Sequence, residues 1–212
     1  MINLIHGDCM EYMATLKDNE FDLAVVDPPY GIGNWIPDNV ASQSKKQTVQ
    51  FKQVEWNQHP PSQAYFDELR RVSKRQIIFG TNYYANQPPN PVLVWYKKIG
   101  NPNFSDVEIA SLSWGKRCDF VHINWQSGFY RTMTDGKQIH PCQKPIQLYQ
   151  WIFDKYAKKN WRILDTHLGS GSSAIAAHDC GLEFVGVELD DNYFKATKER
   201  LQEHQKQLRL FE

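Results

Sequence analysis

Leu23-Ala-Val-Val-Asp-Pro-Pro-Tyr-Gly-Ile-Gly33 is an apolar run that ends abruptly in a carboxylate, two prolines, an aromatic ring and a pair of glycines. Four apolar residues bounded by turn formers read as a strand buried on both faces, which sets Asp27 at its carboxyl end. In an open parallel sheet, that edge is where ligands bind. Pro28 and Pro29 have no backbone N–H and fix φ, so the Pro28 carbonyl lies in a stiff, extended segment beside a charged acceptor. Tyr30 adds a planar ring that can stack. Two acceptors and a stacking face suit an amino group on an aromatic heterocycle, such as the exocyclic amine of a nucleobase. A turn closing a core strand uses the same Asp-Pro pair, so the rest of the chain decides between the two readings.

Upstream, residues 2–6 read as a short strand, and Met10, Met13, Ala14 and Leu16 mark a helix that Asp8 is placed to cap. Downstream, residues 34–57 lose all periodicity and carry Lys45, Lys46 and Lys52 among Gln, Ser and Asn, as a mobile loop or lid does. Tyr65, Phe66, Leu69 and Val72 mark an amphipathic helix leading into strand 76–80. Strands 91–96 and 107–114 follow, with Lys97-Lys98 and Lys116-Arg117 at their ends. These basic pairs, with Trp95, Trp114 and Trp125 nearby, are candidates for gripping phosphates and stacking on bases. Residues 129–139, turning at Asp135-Gly136 and carrying Arg131 and Lys137, resemble a β-hairpin. His140-Pro-Cys-Gln-Lys-Pro145 then enters a helix whose register is Ile146, Tyr149, Phe153 and Tyr156.

Near the end, strand 162–165 runs into Thr166-His-Leu-Gly-Ser-Gly-Ser-Ser173, a helix, and strand 184–187 ending in Glu188. Gly169 and Gly171 allow the backbone close to a bound group, the helix start offers unpaired N–H donors, and Glu188 is placed to accept ribose hydroxyls. This is the nucleotide-binding half of a Rossmann-like sheet. Gly169, Gly171 and Ala174 also fit the nicotinamide-dehydrogenase spacing, but that reading leaves the Asp27 turn unexplained.

The chain has 212 residues, 41% of them apolar, enough for one full-sized core. No apolar run approaches a membrane span and no signal-peptide core opens the sequence, so a cytoplasmic protein is expected. Cys9, Cys118, Cys142 and Cys180 show no C-x-x-C spacing, and no metal site is expected. Charge is uneven: residues 1–40 carry one Lys against seven acids (−6), residues 41–160 seventeen bases against eight acids (+9), and residues 161–212 six against nine (−3). A basic middle between acidic ends suits a polyanionic partner.

Taken together, Asp27-Pro-Pro-Tyr30, His140-Pro-Cys-Gln-Lys-Pro145 and Leu164-Asp-Thr-His-Leu-Gly-Ser-Gly171 resemble the DNA amino-methyltransferases, in the order of that family's beta arrangement. The resemblance covers nearly the whole chain. It implies an α/β fold: a Rossmann-like S-adenosylmethionine-dependent methyltransferase sheet, mostly parallel with an antiparallel edge and with circularly ordered motifs. Residues 1–212 would be one methyltransferase domain, with 34–57 a mobile loop and 115–139 a short target-recognition region. It also implies S-adenosylmethionine as cofactor, held by Asp8, Cys9, Asp27, Lys144, Asp165, His167, Leu168, Gly169, Gly171 and Glu188, with Lys144 on the methionine carboxylate. Asp27, Pro28, Pro29 and Tyr30 would hold the target base. Lys45, Lys46, Lys52, Lys97, Lys98, Lys116, Arg117, Arg131 and Lys137 would meet double-stranded DNA. Two positions depart from the family pattern: Thr166-His167 stands where Pro-Phe is common, and Cys142 where Thr is usual.

Adenine is the expected base, because cytosine-directed relatives more often begin the Asp27 motif with Ser. Cytosine N4, an RNA substrate and a non-catalytic nucleic-acid-binding relative are the alternatives. The short stretch before His140 leaves little protein for base readout, which a homodimer, a specificity partner or relaxed specificity would each accommodate.

Overall fold

The computed structural model describes residues 1–33, 57–85, 91–98, 105–125, 135, 136 and 138–208. The elements run β1 (Ile2–His6), α1 (Cys9–Ala14), β2 (Leu23–Val26), α2 (Gln63–Val72), β3 (Gln76–Phe79) and a 3-10 turn at Thr81–Tyr83. They continue with β4 (Val92–Tyr96), β5 (Val107–Leu112), β6 (Asp119–His122), α3 (Ile146–Tyr156), β7 (Arg162–Asp165), α4 (Ser172–Asp179), β8 (Glu183–Glu188) and α5 (Asp191–Leu208).

The strands form one sheet in the order β1-β8-β7-β2-β3-β5-β4-β6. β5 alone runs against its neighbours. The antiparallel strand expected at the edge thus sits close to it, with β4 and β6 outside. Every residue of β2 is buried, as its unbroken apolar run requires. Leu23 and Val25 pack towards α3 and α4, against Leu148, Ile152 and Ala174. Ala24 and Val26 pack on the opposite face against Met13 of α1 and Tyr65, Phe66, Leu69 and Val72 of α2. The alternation of β2 therefore sorts the core into two layers, one on each side of the sheet.

Strands from the two ends of the chain pair with one another. β1 pairs in parallel with β8, and β2 with β7. The turn after β2 and the glycine loop after β7 consequently open at neighbouring positions on the same carboxyl edge.

Several expectations change here. β6 has no counterpart in the sequence reading, because only Val121 of its four residues is buried. The hairpin over 129–139 is not present in its described part: Asp135 has helical backbone, and Gln138 and Ile139 belong to no strand. Asp135 is instead a buried acceptor for the Ile146 N–H, at 3.0 Å, at the start of α3. The loop expected at 34–57 lies, apart from Asn57, outside the described residues. No helix among the described residues is long and apolar enough to cross a membrane.

Candidate active site

β2 delivers Asp27 to the carboxyl edge, where the turn's own Tyr30 and two side chains from elsewhere, Lys144 and Tyr84, bond to it. The Tyr30 hydroxyl donates to Asp27 Oδ1 at 2.7 Å. The Lys144 ammonium donates to Asp27 Oδ2 and, at 3.3 Å, to the Tyr30 oxygen. The buried Tyr84 hydroxyl donates to the Pro28 carbonyl at 2.8 Å. That carbonyl keeps one lone pair open, since an sp² oxygen carries two. Both acceptors expected from the sequence are present, and each already holds a protein donor.

Tyr30 is fixed from several sides. Its ring stacks on Tyr83 with centroids 4.9 Å apart and planes 13° from parallel, and its N–H donates to Asn57 Oδ1 at 3.0 Å. Gly80 lies directly against the ring, at φ +73°; a Cβ there would come within 2.2 Å of Tyr30 Cε1. Sequence reasoning missed Gly80, Tyr83 and Tyr84, because a ring that crosses from one strand end to the next leaves no periodic signal.

Lys144 was expected on a cofactor carboxylate, but the structure places its buried ammonium between Asp27 and Glu108, 3.0 Å from Glu108 Oε2. The other Glu108 oxygen is 3.0 Å from the Lys97 ammonium. Alternating charges thus run Lys97, Glu108, Lys144, Asp27 through the interior. Burial works against the charge on Lys144, but Asp27 and Glu108 outweigh it and hold Lys144 above its ordinary range. Burial likewise opposes the charge on Glu108, yet the two lysines hold its carboxyl below the usual range. The Asp27 carboxyl is raised, by burial first; Lys144 opposes that rise and Glu108 adds to it.

The glycine loop is built around two acids. Asp165, at the end of β7, accepts the His167 N–H at 3.0 Å and the Ser173 hydroxyl at 2.6 Å. Glu188, at the end of β8, accepts the Gly169 N–H at 2.8 Å and the Asp190 N–H at 2.9 Å. From α5, the Thr197 hydroxyl donates to the Gly169 carbonyl at 2.6 Å, and Arg200 donates to the Ser170 carbonyl at 2.8 Å. Gly171 is required by packing: at φ +72°, its Cβ would meet Thr197 Cγ2 at 2.4 Å. Leu168 fills the space over Gly186, where a Cβ would lie 2.7 Å from it.

Asp8 caps α1, its carboxylate accepting the Met10 N–H at 2.6 Å and the Glu11 N–H at 3.2 Å. Cys9 packs beside the core layer of α1 and α2, where burial pushes its thiol up to about 12. His167 is lowered to about 4 by burial. In the unusual Thr166-His167 pair, the Thr166 hydroxyl lies 2.7 Å from the Tyr65 hydroxyl, and the His167 ring stands edge-on to Tyr65. The segment 140–145 ties the two loops together. Its His140 ring lies 3.6 Å from where a Gly169 Cβ would stand, while its Lys144 reaches Asp27.

Burial pushes the Asp165 carboxyl up to about 7 from 3.8; Ser173 and the His167 N–H oppose that, while Asp27 and Glu188 add to it. A carboxyl raised on folding contributes stability that is full below its unfolded pKa and is lost as pH rises through the folded value. Thermal stability is therefore expected to fall between about pH 4 and pH 7, by at most about 4 kcal/mol from this group. Asp165→Asn should remove most of that slope. Equal slopes for the two proteins in melting scans would contradict the assignment.

The basic residues do not act as one patch. Lys97 is buried and paired with Glu108, so it is not a phosphate contact. Lys116 and Arg117 are exposed, but they follow β5 and precede β6, which puts them at the opposite edge of the sheet from Asp27. Lys98 is exposed at the carboxyl edge. Lys45, Lys46, Lys52, Arg131 and Lys137 lie outside the described residues. Of the tryptophans, Trp95 and Trp125 are core residues, with the Trp95 indole donating to the Ile123 carbonyl at 3.0 Å. Trp114 lies 5.4 Å under the Arg75 guanidinium.

The mostly parallel sheet thus carries the glycine loop and the acidic turn side by side on its carboxyl edge. The DNA methylase family of the N6/N4 type matches residues 86–199, more than half of the chain, and this chain belongs to it. Among curated proteins it is similar to the methylase YubD of Escherichia coli (strain K12), 25% identical over 95% of this chain and 90% of the relative. It is also similar to the type II methyltransferase M2.DpnII of Streptococcus pneumoniae, 22% identical over 94% of this chain and 89% of the relative. Among solved structures, the M1.HpyAVI–SAM complex has a similar fold, with a TM-score of 0.58 and 21% identity over 95% of this chain and 99% of that one. PvuII DNA methyltransferase (cytosine-N4-specific) reaches a TM-score of 0.61 at 12% identity, covering 97% of this chain and 90% of that one.

Proposed function

We propose that this chain transfers a methyl group from S-adenosylmethionine to the exocyclic N6 of adenine in double-stranded DNA. The observation that carries the reading is the juxtaposition of Asp27 and the Pro28 carbonyl with the glycine loop, spanned by the segment from His140 to Lys144. The acids around the loop fit the cofactor. Asp27, Asp165 and Glu188 are each raised by burial, and Asp27 and Glu188 push Asp165 further up, so a cationic ligand would relieve the site. The solved M1.HpyAVI structure is a complex with SAM, which supports the same choice.

When bound, S-adenosylmethionine supplies a methyl group made electrophilic by a sulfonium. Glu188, with a lone pair free on each oxygen, would accept ribose hydroxyls; Gly169 and Leu168 would flank the cofactor, Asp165 would keep His167 and Ser173 in place behind it, and Asp8 and Cys9 would lie towards its adenine. Lys144 acts on Asp27 in this scheme and leaves the methionine carboxylate to other donors. An exocyclic amine is a poor nucleophile because its lone pair is delocalised into the ring. Asp27 and the Pro28 carbonyl accept its two N–H bonds, turn the nitrogen towards sp³ and offset the positive charge that grows during attack. Pro29 keeps the acceptor segment rigid, and Tyr30, extended outward by the exposed Tyr83, offers the aromatic wall for a base taken out of the duplex. Lys98 and the residues from His122 to Trp125, on the same edge, are the proposed DNA contacts, with a second copy or a specificity partner completing the readout.

Digesting DNA treated with enzyme and cofactor to nucleosides, followed by mass spectrometry, tests the reading: N6-methyladenine is the expected product. N4-methylcytosine, methylated RNA alone, or no product would overturn it. The glycine loop has its own test. Gly171→Asp should abolish S-adenosylmethionine binding in calorimetry, because the side chain displaces Thr197 and with it the clamp on Gly169; unchanged affinity would rule the site out.

A further inference from the structure

As the structure stands, the acceptor that the target amine needs is partly neutralised. The Lys144 ammonium sits on Asp27 Oδ2, and a carboxylate so paired offers little attraction to the positive charge that grows on the amine. A cation beside that growing charge would also repel it. Lys144 has a second carboxylate within reach. Glu108 Oε2 is buried and already lies 3.0 Å from its ammonium as an ion pair. The other Glu108 oxygen is pinned at 3.0 Å by Lys97, whose own side chain is buried. Two buried carboxylates thus share one ammonium.

The geometry points to Glu108 as a positioning residue: it is the acceptor onto which the Lys144 ammonium moves when the target amine takes its place on Asp27. Lys97 makes this workable by keeping Glu108 charged and still. The shift is a small displacement, because Lys144 already touches both acids, and the sum of the four charges is unchanged by it. No proton or bond is transferred. The inference rests on the methylation reading above and assigns to Glu108 and Lys97 a part in it that neither residue's position in the sequence suggests.

The test is a pair of variants assayed at saturating DNA and cofactor, with melting temperatures recorded alongside. Glu108→Gln keeps the shape but weakens the second acceptor, so Lys144 stays on Asp27; kcat should fall about 100-fold with little change in cofactor affinity. Glu108→Gln combined with Lys144→Met removes the blocking cation as well and restores charge neutrality; it should recover at least about tenfold over the single variant. A structural role alone would make the double variant no better than the single one. As a readout independent of turnover, carbon-13 NMR of the Asp27 carboxyl in Glu108→Gln should show it titrating lower, since a neighbouring negative charge that raises it is gone. Wild-type kcat in Glu108→Gln, a double variant as slow as the single, or an unmoved Asp27 titration would each overturn the inference. If the unaltered protein yields no methyladenine, the methylation reading itself fails; if it does and Glu108→Gln matches it, only the role of Glu108 fails.

Discussion

Asp27→Ala is expected to reduce methyl transfer by about a thousandfold or more while leaving S-adenosylmethionine binding measurable. The side chain is the only charged acceptor within the Asp-Pro-Pro-Tyr turn, and its loss removes the group that offsets positive charge on the attacking nitrogen. Glycine-loop residues that hold Glu188 and Asp165 do not depend on it for their hydrogen bonds. The variant carries an internal check. Asp27 helps push the Asp165 carboxyl upward, so that carboxyl should titrate lower once Asp27 is gone. It also leaves Lys144 paired with Glu108 alone, a cost to stability that a melting curve registers separately from activity. An Asp27→Ala protein that transfers labelled methyl groups at the original rate would remove the mechanism.

Gly80→Ala is the second large effect, and it acts without touching any polar group. Gly80 has φ +73°, and a methyl there would penetrate the Tyr30 ring, 2.2 Å from Cε1 and 2.5 Å from Cδ1. The ring cannot stay where it is, so the 2.7 Å hydrogen bond to Asp27 and the stack on Tyr83 are lost together. The expected result is a fall in kcat of about 100-fold, from misplacement of the acceptor and of the aromatic wall. A stability loss of about 1–3 kcal/mol should accompany it, from overpacking and left-handed backbone. Tyr30→Phe, which keeps the ring and deletes only the hydroxyl, should be the milder of the two. Full activity in Gly80→Ala would show that Tyr30 does not position Asp27.

Much of the framework was legible because it is written in local patterns. β2 shows itself as an unbroken apolar run stopped by Asp27 and two prolines, and α2 by four apolar residues at helical spacing, all of which are buried. The strand, glycine loop, helix, strand and acid of 162–188 are likewise contiguous in sequence. What could not be read is what depends on meetings between distant segments. Glu108 and Lys97 belong to β5 and the end of β4, and nothing in either strand's alternation marks them as partners of Lys144. Lys97 reads in the sequence as a phosphate contact, and only the register that sets Trp95 opposite Glu108 turns it inward. Lys116 and Arg117 looked as promising as Lys98, yet the reversed direction of β5 sends them to the far edge. Gly171 resembled a ligand-facing glycine and proves to be one that α5 packs against. Nothing in the sequence marks Arg200 of α5 as the residue that holds the Ser170 carbonyl.

The mechanism requires that the group donating the methyl lie against the acidic turn. A crystal structure with a cofactor analogue carrying an amine in place of the methyl-bearing sulfonium, and with duplex DNA, tests this most directly. The expected result is the analogue between the Gly169 loop and Asp27, an adenine amine within about 3–3.5 Å of the analogue's reacting atom, and that amine bonded to Asp27 and the Pro28 carbonyl. An analogue seated away from the turn, or a base amine held by neither acceptor, would contradict it.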